Sequence, residues 1–199
     1  MGQNQSDVKY VILYGLKGSG KTLFLYNLHA KIKIFDGNKG PEPTEGFNYE
    51  EKDANNYTLG IFDISGDPMQ YEVLNIIAKS VNISGIIFMV SLDQLDELKQ
   101  AQELLKLVFS NQYFTKRLSL YIIYNRSAEN KEKYEWMSKD LFKTQLNLDS
   151  IKEQFRVKFI DSDFLDCSNY DANVREKEKF ATKFREFSDS LDDNYKLSP

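Results

Sequence analysis

The sequence predicts an α/β protein on a mostly parallel six-stranded sheet, with helices on both faces and one antiparallel edge strand. Three observations lead there. An apolar run over residues 8–14 feeds a glycine-rich loop, and the loop opens a helix-compatible stretch. The second half alternates strand-like and helix-like segments, which demands crossover connections and puts helices on the sheet faces. Between residues 47–52 and 57–64, two strand-like runs meet at Asp53-Ala54-Asn55-Asn56, a turn-rich joint that reads as an antiparallel hairpin.

The elements follow in order. A strand over 8–14 is rich in Val, Ile, Leu and Tyr. A helix is expected over 21–34, then a Gly- and Pro-containing loop over 36–46, then the hairpin. Asp67-Pro68 is a helix-start signal for 68–79, because Asp caps free N–H groups and Pro fits the first turn. Residues 84–91 read as a buried strand, with a helix over 92–109 whose apolar stripe is Leu95, Leu98, Ala101, Leu105 and Val108. Another buried strand is expected at 118–124, a charged helix at 131–146 and a short strand at 156–160. A last helix over 173–191 carries Phe180, Phe184, Phe187 and Leu191 on one stripe.

At 199 residues, the chain is expected to form one domain over 1–199 with a short N-terminal arm, 1–7. A net charge of −4 with scattered Lys and Arg excludes a general nucleic-acid footprint, which needs a basic face. The one cysteine, Cys167, cannot close an intramolecular disulfide, and no apolar leader follows Met1, so an intracellular, cytoplasmic setting is expected. The only histidine, His29, reads as a solvated helix residue rather than as a member of a His-based triad.

Residues Gly15-Leu16-Lys17-Gly18-Ser19-Gly20-Lys21-Thr22 match the phosphate-binding pattern G-x-x-x-x-G-K-[ST] between a strand and a helix. Glycines let backbone N–H groups close on phosphate oxygens, and the helix N-terminus favours the anion. Lys21 is then expected to reach the β- and γ-phosphates, and the Thr22 hydroxyl to ligate Mg²⁺.

Four further pieces follow the loop: Pro43-Thr44-Glu45-Gly46-Phe47-Asn48, Asp63-Ile64-Ser65-Gly66, Asn125 after a buried strand, and Cys167-Ser168 after another. In this order they resemble the small GTPases of the ADP-ribosylation factor (Arf and Arf-like) branch, over about Lys9 to Leu191. Phe47-Asn48-Tyr49-Glu50 resembles the start of that branch's interswitch hairpin. The resemblance implies the small-GTPase P-loop fold, Mg²⁺ and GTP or GDP as ligands, and protein partners at the switch and interswitch region. It also implies that Thr44 would ligate Mg²⁺ when a γ-phosphate is present, that Asp63 would hold the metal through water, and that the Gly66 N–H would touch the γ-phosphate. Lys17, Gly18, Ser19 and Gly20 would line the phosphates, with Asn125, Arg126, Cys167 and Ser168 toward the base.

Three positions depart from the pattern. Where the family has a water-orienting glutamine, this chain has Asp67. A carboxylate 4 Å from a γ-phosphate meets a repulsion of about 4 kcal/mol at an effective dielectric near 20, so Asp67 must turn away, be protonated or be paired. It reads either as an N-cap before Pro68 or as a partner for Lys17 across the γ-phosphate space. The guanine-reading Asn-Lys-x-Asp appears as Asn125-Arg126-Ser127-Ala128, which removes the base-reading carboxylate. Glu129 lies one residue late. Lys17 stands where the branch usually carries an acid, and points either to the phosphates or to solvent. The expected function is therefore an Arf-like nucleotide-binding switch or scaffold with weak or absent GTP hydrolysis. The alternatives are a pseudo-GTPase built into a larger assembly and a GTPase completed in trans by a partner.

Met1-Gly2-Gln3-Asn4-Gln5-Ser6 fits the myristoylation pattern M-G-x-x-x-[ST], marking Gly2 as an acceptor. One acyl chain with only Lys9 as a nearby cation gives weak, reversible membrane contact.

Overall fold

A computed structural model describes residues 8–28, 42–54, 57–114, 118–126, 139–155, 157–165, 167 and 174–196. Gly2, His29, the end of the first expected helix, Ala128, Glu129 and Ser168 lie outside the described residues. Six strands form one sheet: β1 (Val8–Tyr14), β2 (Phe47–Ala54), β3 (Tyr57–Ile64), β4 (Ile83–Ser91), β5 (Ser119–Asn125) and β6 (Lys158–Leu165). Their order is β2-β3-β1-β4-β5-β6. Every pairing is parallel except the β2–β3 hairpin at one edge, in register from Phe47↔Ile64 to Ala54↔Tyr57.

The described helices are α1 (Lys21–Leu28), α2 (Tyr71–Ser80), α3 (Leu98–Phe109), α4 (Lys139–Gln145), α5 (Leu148–Phe155) and α6 (Val174–Lys196). The period-two alternation of strand side chains divides the core into two layers. On β1, Ile12 and Tyr14 join one buried cluster with Leu74 of α2, Leu105 of α3 and Phe142 of α4. Val11 and Leu13 join the other, with Phe24 and Leu25 of α1 and the Phe180, Phe184, Phe187 and Leu191 stripe of α6. All nine residues of β4 are buried, as a central parallel strand covered on both faces requires. Each large apolar side chain removed from water contributes about 1.5–3 kcal/mol, so the two layers fix the strand ends that carry the loops.

Several element boundaries differ from the sequence reading; strand β2 takes in Asp53 and Ala54, which were expected in the turn, and α6 runs to Lys196. Residues Pro68–Gln70 and Leu92–Glu97 are 3₁₀ turns ahead of α2 and α3 rather than their first α-turns. In the second, the Asp93 N–H turns back to Ser91 Oγ at 3.2 Å, a local bond that competes with α-helical pairing. Described helix in the expected 131–146 segment is confined to α4, and an unexpected helix, α5, follows it. Asn147, with φ of 53°, is in the left-handed region and separates the two. Strand β6 runs to Leu165 rather than stopping at residue 160.

Candidate nucleotide site

The phosphate-loop sequence lies at the C-terminal end of β1, where the sheet opens onto a cleft of about 650 Å³. Its backbone is folded tightly enough that Gly15, Gly18 and Gly20 all have positive φ. A Cβ on Gly20 would lie 2.4 Å from Asn125 Nδ2, so the loop packs against β5 with no room for a side chain. Asn125 uses that proximity: its Nδ2 donates to Ser19 O at 3.1 Å and its Oδ1 accepts the Cys167 N–H at 3.1 Å. Asn27 of α1 donates to Cys167 O at 2.8 Å. Three segments distant in sequence are thereby joined behind the loop. Arg126 sits partly buried at the end of β5, and Cys167 is buried.

Lys21, at the start of α1, is almost wholly buried, and its Nζ donates to Gly15 O and Leu16 O, both at 2.9 Å. Burial lowers its pKa to about 8, with the nearby Asp63 carboxylate pulling the other way. The ammonium is therefore still charged at neutral pH. Lys17 and Gly18 line the cleft beside it, as do Gly20 and Thr22.

Across the cleft, three oxygen-bearing side chains converge from three elements. Thr22 Oγ1 donates to Asp63 Oδ2 at 2.7 Å and lies 2.8 Å from Thr44 Oγ1, which is itself 3.5 Å from Asp63 Oδ2. Asp63, near the end of β3, is inaccessible to solvent, and its Oδ1 has no hydrogen-bond partner. Burial raises its pKa, against the opposing effects of Thr22, Lys21, Thr44 and Asn48. Gly66 follows, pressed so close to the loop that a Cβ would lie 2.3 Å from Lys17 N.

Asp67 lines the same cleft, and its carboxylate is engaged locally. Oδ1 accepts the Met69 N–H at 2.9 Å, capping the 3₁₀ turn. This geometry matches the reading of Asp67 as a cap before Pro68.

Two features escaped the sequence reading. Phe47 and Tyr49 project from the same side of edge strand β2, both exposed, and flank Phe62 of β3 at ring-centroid distances of 5.9 and 4.8 Å. Met69 and Ile76, in the neighbouring turn and α2, are also exposed. The i, i+2 spacing of Phe47 and Tyr49 was the available signal. The second feature is Gln70, whose side chain reaches the Gly46 N–H at 2.7 Å; no local pattern announces it.

The comparisons bear on this geometry. The chain is similar in structure to the Arl6 BBS3 small GTPase from Trypanosoma brucei, solved with a bound nucleotide analogue, GppNp. Identity is 15%, coverage is 92% of this chain and 99% of the other, and the TM-score is 0.68. At that identity the likeness is one of fold. No curated protein matches the sequence significantly. The family profile of the ADP-ribosylation factors matches residues 1–175. With that match over most of its length, and with the expected six-stranded fold, the chain belongs to the ADP-ribosylation factor family of small GTPases.

Proposed function

We propose that this protein is an Arf-like nucleotide-binding switch or scaffold that takes GTP or GDP with Mg²⁺ and hydrolyses GTP weakly or not at all. The observation that carries the reading is the convergence of Thr22, Thr44 and Asp63 beside the phosphate loop. These are hard oxygen donors of the kind Mg²⁺ takes, and Asp63 Oδ1 is a buried acceptor with bonding capacity to spare. One carboxylate with two hydroxyls suits a cation whose remaining ligands are phosphate oxygens and water. Thr22, Thr44 and Asp63 would hold the ion, and the ion would neutralise phosphate charge. Lys21 and the N–H groups of Gly18, Ser19 and Gly20 would bind the phosphates. Asn125 would hold the loop while the Arg126 stem lies along the base.

Weak hydrolysis follows from Asp67. A capping carboxylate cannot offer an attacking water the amide that glutamine would, and its charge repels a γ-phosphate. Protein partners would dock on the exposed Phe47, Tyr49 and Met69 beside the switches, where binding would remove large apolar side chains from water. Gly2 is proposed as a myristoyl acceptor; co-expression with the transferase should raise the intact mass by one acyl group, and an unmodified mass removes the membrane contact.

Titration of labelled GTP, GDP and ATP tests the reading directly. With Ala128 in place of the base-reading aspartate, discrimination of GTP over ATP should be small. Ala128→Asp should raise it about tenfold, equivalent to about 1.4 kcal/mol. Absence of binding to all three nucleotides defeats the proposal, and strong wild-type guanine selectivity defeats its account of the base.

A further inference from the structure

We propose that Gln70 is a positioning residue that clasps the two nucleotide-facing segments together, holding the Thr44 region in place through the Gly46 peptide. The inference rests on the Mg²⁺-nucleotide reading for its consequence, while the clasp itself rests on geometry.

Gly46 lies between Thr44 and the first residue of β2, in a left-handed conformation with φ of 73°. Its peptide groups are held from the opposite segment on both sides. Gly46 O accepts the Ser65 N–H at 2.9 Å, one pair beyond the end of the Phe47↔Ile64 register. Gly46 N donates to Gln70 Oε1 at 2.7 Å. The first bond is backbone to backbone, so any residue at 65 except proline supplies it. The second depends on one side chain and one acceptor oxygen.

The reach of Gln70 is set by Asp67. Asp67 Oδ1 caps Met69 N, Asp67 O accepts the Gln70 N–H at 2.9 Å, and the resulting 3₁₀ turn over Pro68–Gln70 presents Gln70 to the cleft rather than to solvent. Pro68 stiffens the turn by fixing its own φ. The residue that departs from the family's glutamine thus builds the platform from which a different glutamine, three positions later, reaches across. Its oxygen goes to a backbone N–H of the opposite segment.

The consequence falls on Thr44. Its hydroxyl lies 2.8 Å from Thr22 Oγ1, and only Glu45 separates it from the clasped Gly46. Fixing Gly46 restricts how far the Thr44 hydroxyl can depart from Asp63 and Thr22. Release of Gln70 would free the Thr44 segment while leaving the phosphate loop, Lys21 and Asp63 untouched.

The test uses the full chain with Gln70→Met, which keeps length but lacks an acceptor, and Gln70→Glu, which keeps an acceptor oxygen. Amide hydrogen exchange is followed at Gly46, with the Ile87 amide in β4 as the folding control. The Mg²⁺ concentration needed to retain a fluorescent, non-hydrolysable GTP analogue is measured on the same proteins. Gln70→Met should speed Gly46 exchange about fivefold, the scale of one ordinary net hydrogen bond, with Ile87 unchanged. It should also raise the Mg²⁺ requirement, and Gln70→Glu should stay within about twofold of wild type in Gly46 exchange. Equal Gly46 exchange in wild type and Gln70→Met overturns the clasp, as does Gln70→Glu behaving like Gln70→Met. An unchanged Mg²⁺ requirement alongside faster Gly46 exchange overturns the link to Thr44. A wild type that retains no nucleotide at any Mg²⁺ concentration overturns the nucleotide reading, and the exchange comparison then decides the clasp alone.

Discussion

The phosphate loop and the hairpin edge face the same cleft but are held in different ways. The loop is backed by β1, β4 and β5, by core on both sheet faces, and by Asn125 tying Ser19 to Cys167. The edge strand β2 has β3 as its neighbour on one side and, among the described residues, no strand on the other. Its approach to the cleft depends on side-chain bonds from Thr22, Asp63 and Gln70. The contrast teaches that a loop backed by packed core and a wall held by a few side-chain bonds can share one pocket. Buried apolar area sets the first, and a few individually modest hydrogen bonds set the second.

The comparison is broken most severely at Lys21. Lys21→Ala should weaken labelled GTP and GDP binding at least 100-fold, or about 3 kcal/mol, because it removes a charge-assisted contact to phosphate. Its melting midpoint should move by no more than about 4 °C, the scale of 1 kcal/mol in a chain of this size. A large loss of stability with unchanged affinity would place Lys21 among the structural residues instead.

Next in size is Asn125→Ala, which leaves the Ser19 carbonyl and the Cys167 N–H without their shared partner. Chemical denaturation should show a loss of about 2 kcal/mol, since both orphaned groups sit in the packed backing of the loop. A variant as stable as wild type would mean that the loop is held by the sheet alone.

The smallest effect belongs to the exposed wall. Met69, 90% exposed, should tolerate Met69→Ser within about 0.5 kcal/mol by the same denaturation measurement. A larger loss would show that this part of the wall is packed in solution.

How far the sequence discloses this architecture depends on whether the signal is local. β4 and β5 are legible because central parallel strands read as unbroken apolar runs, and the hairpin is legible from its turn residues. Thr22 was named by the phosphate-loop pattern and Thr44 and Asp63 by resemblance, and the structure brings their side chains together. The split between α4 and α5 was missed because it hinges on one left-handed Asn147, and α5 is too short to show more than Leu148, Ile151 and Phe155. Asp67-Pro68 announces a helix start without saying that the first turn is 3₁₀. Gln70 was invisible because its partner is a backbone N–H 24 residues away. For Ala128, Glu129 and Ser168, to which the resemblance assigns the base, the sequence reading stands as an expectation outside the described residues.

Lys21 carries one further consequence. A free lysine side chain samples many rotamers, worth about 2 kcal/mol of entropy, and a binding site that must freeze one loses that much on each encounter. Here the Gly15 and Leu16 carbonyls already hold the ammonium over the loop. The ordering is completed when the chain folds, so on the proposed reading an arriving phosphate would exchange partners with an already ordered cation rather than freeze a mobile one.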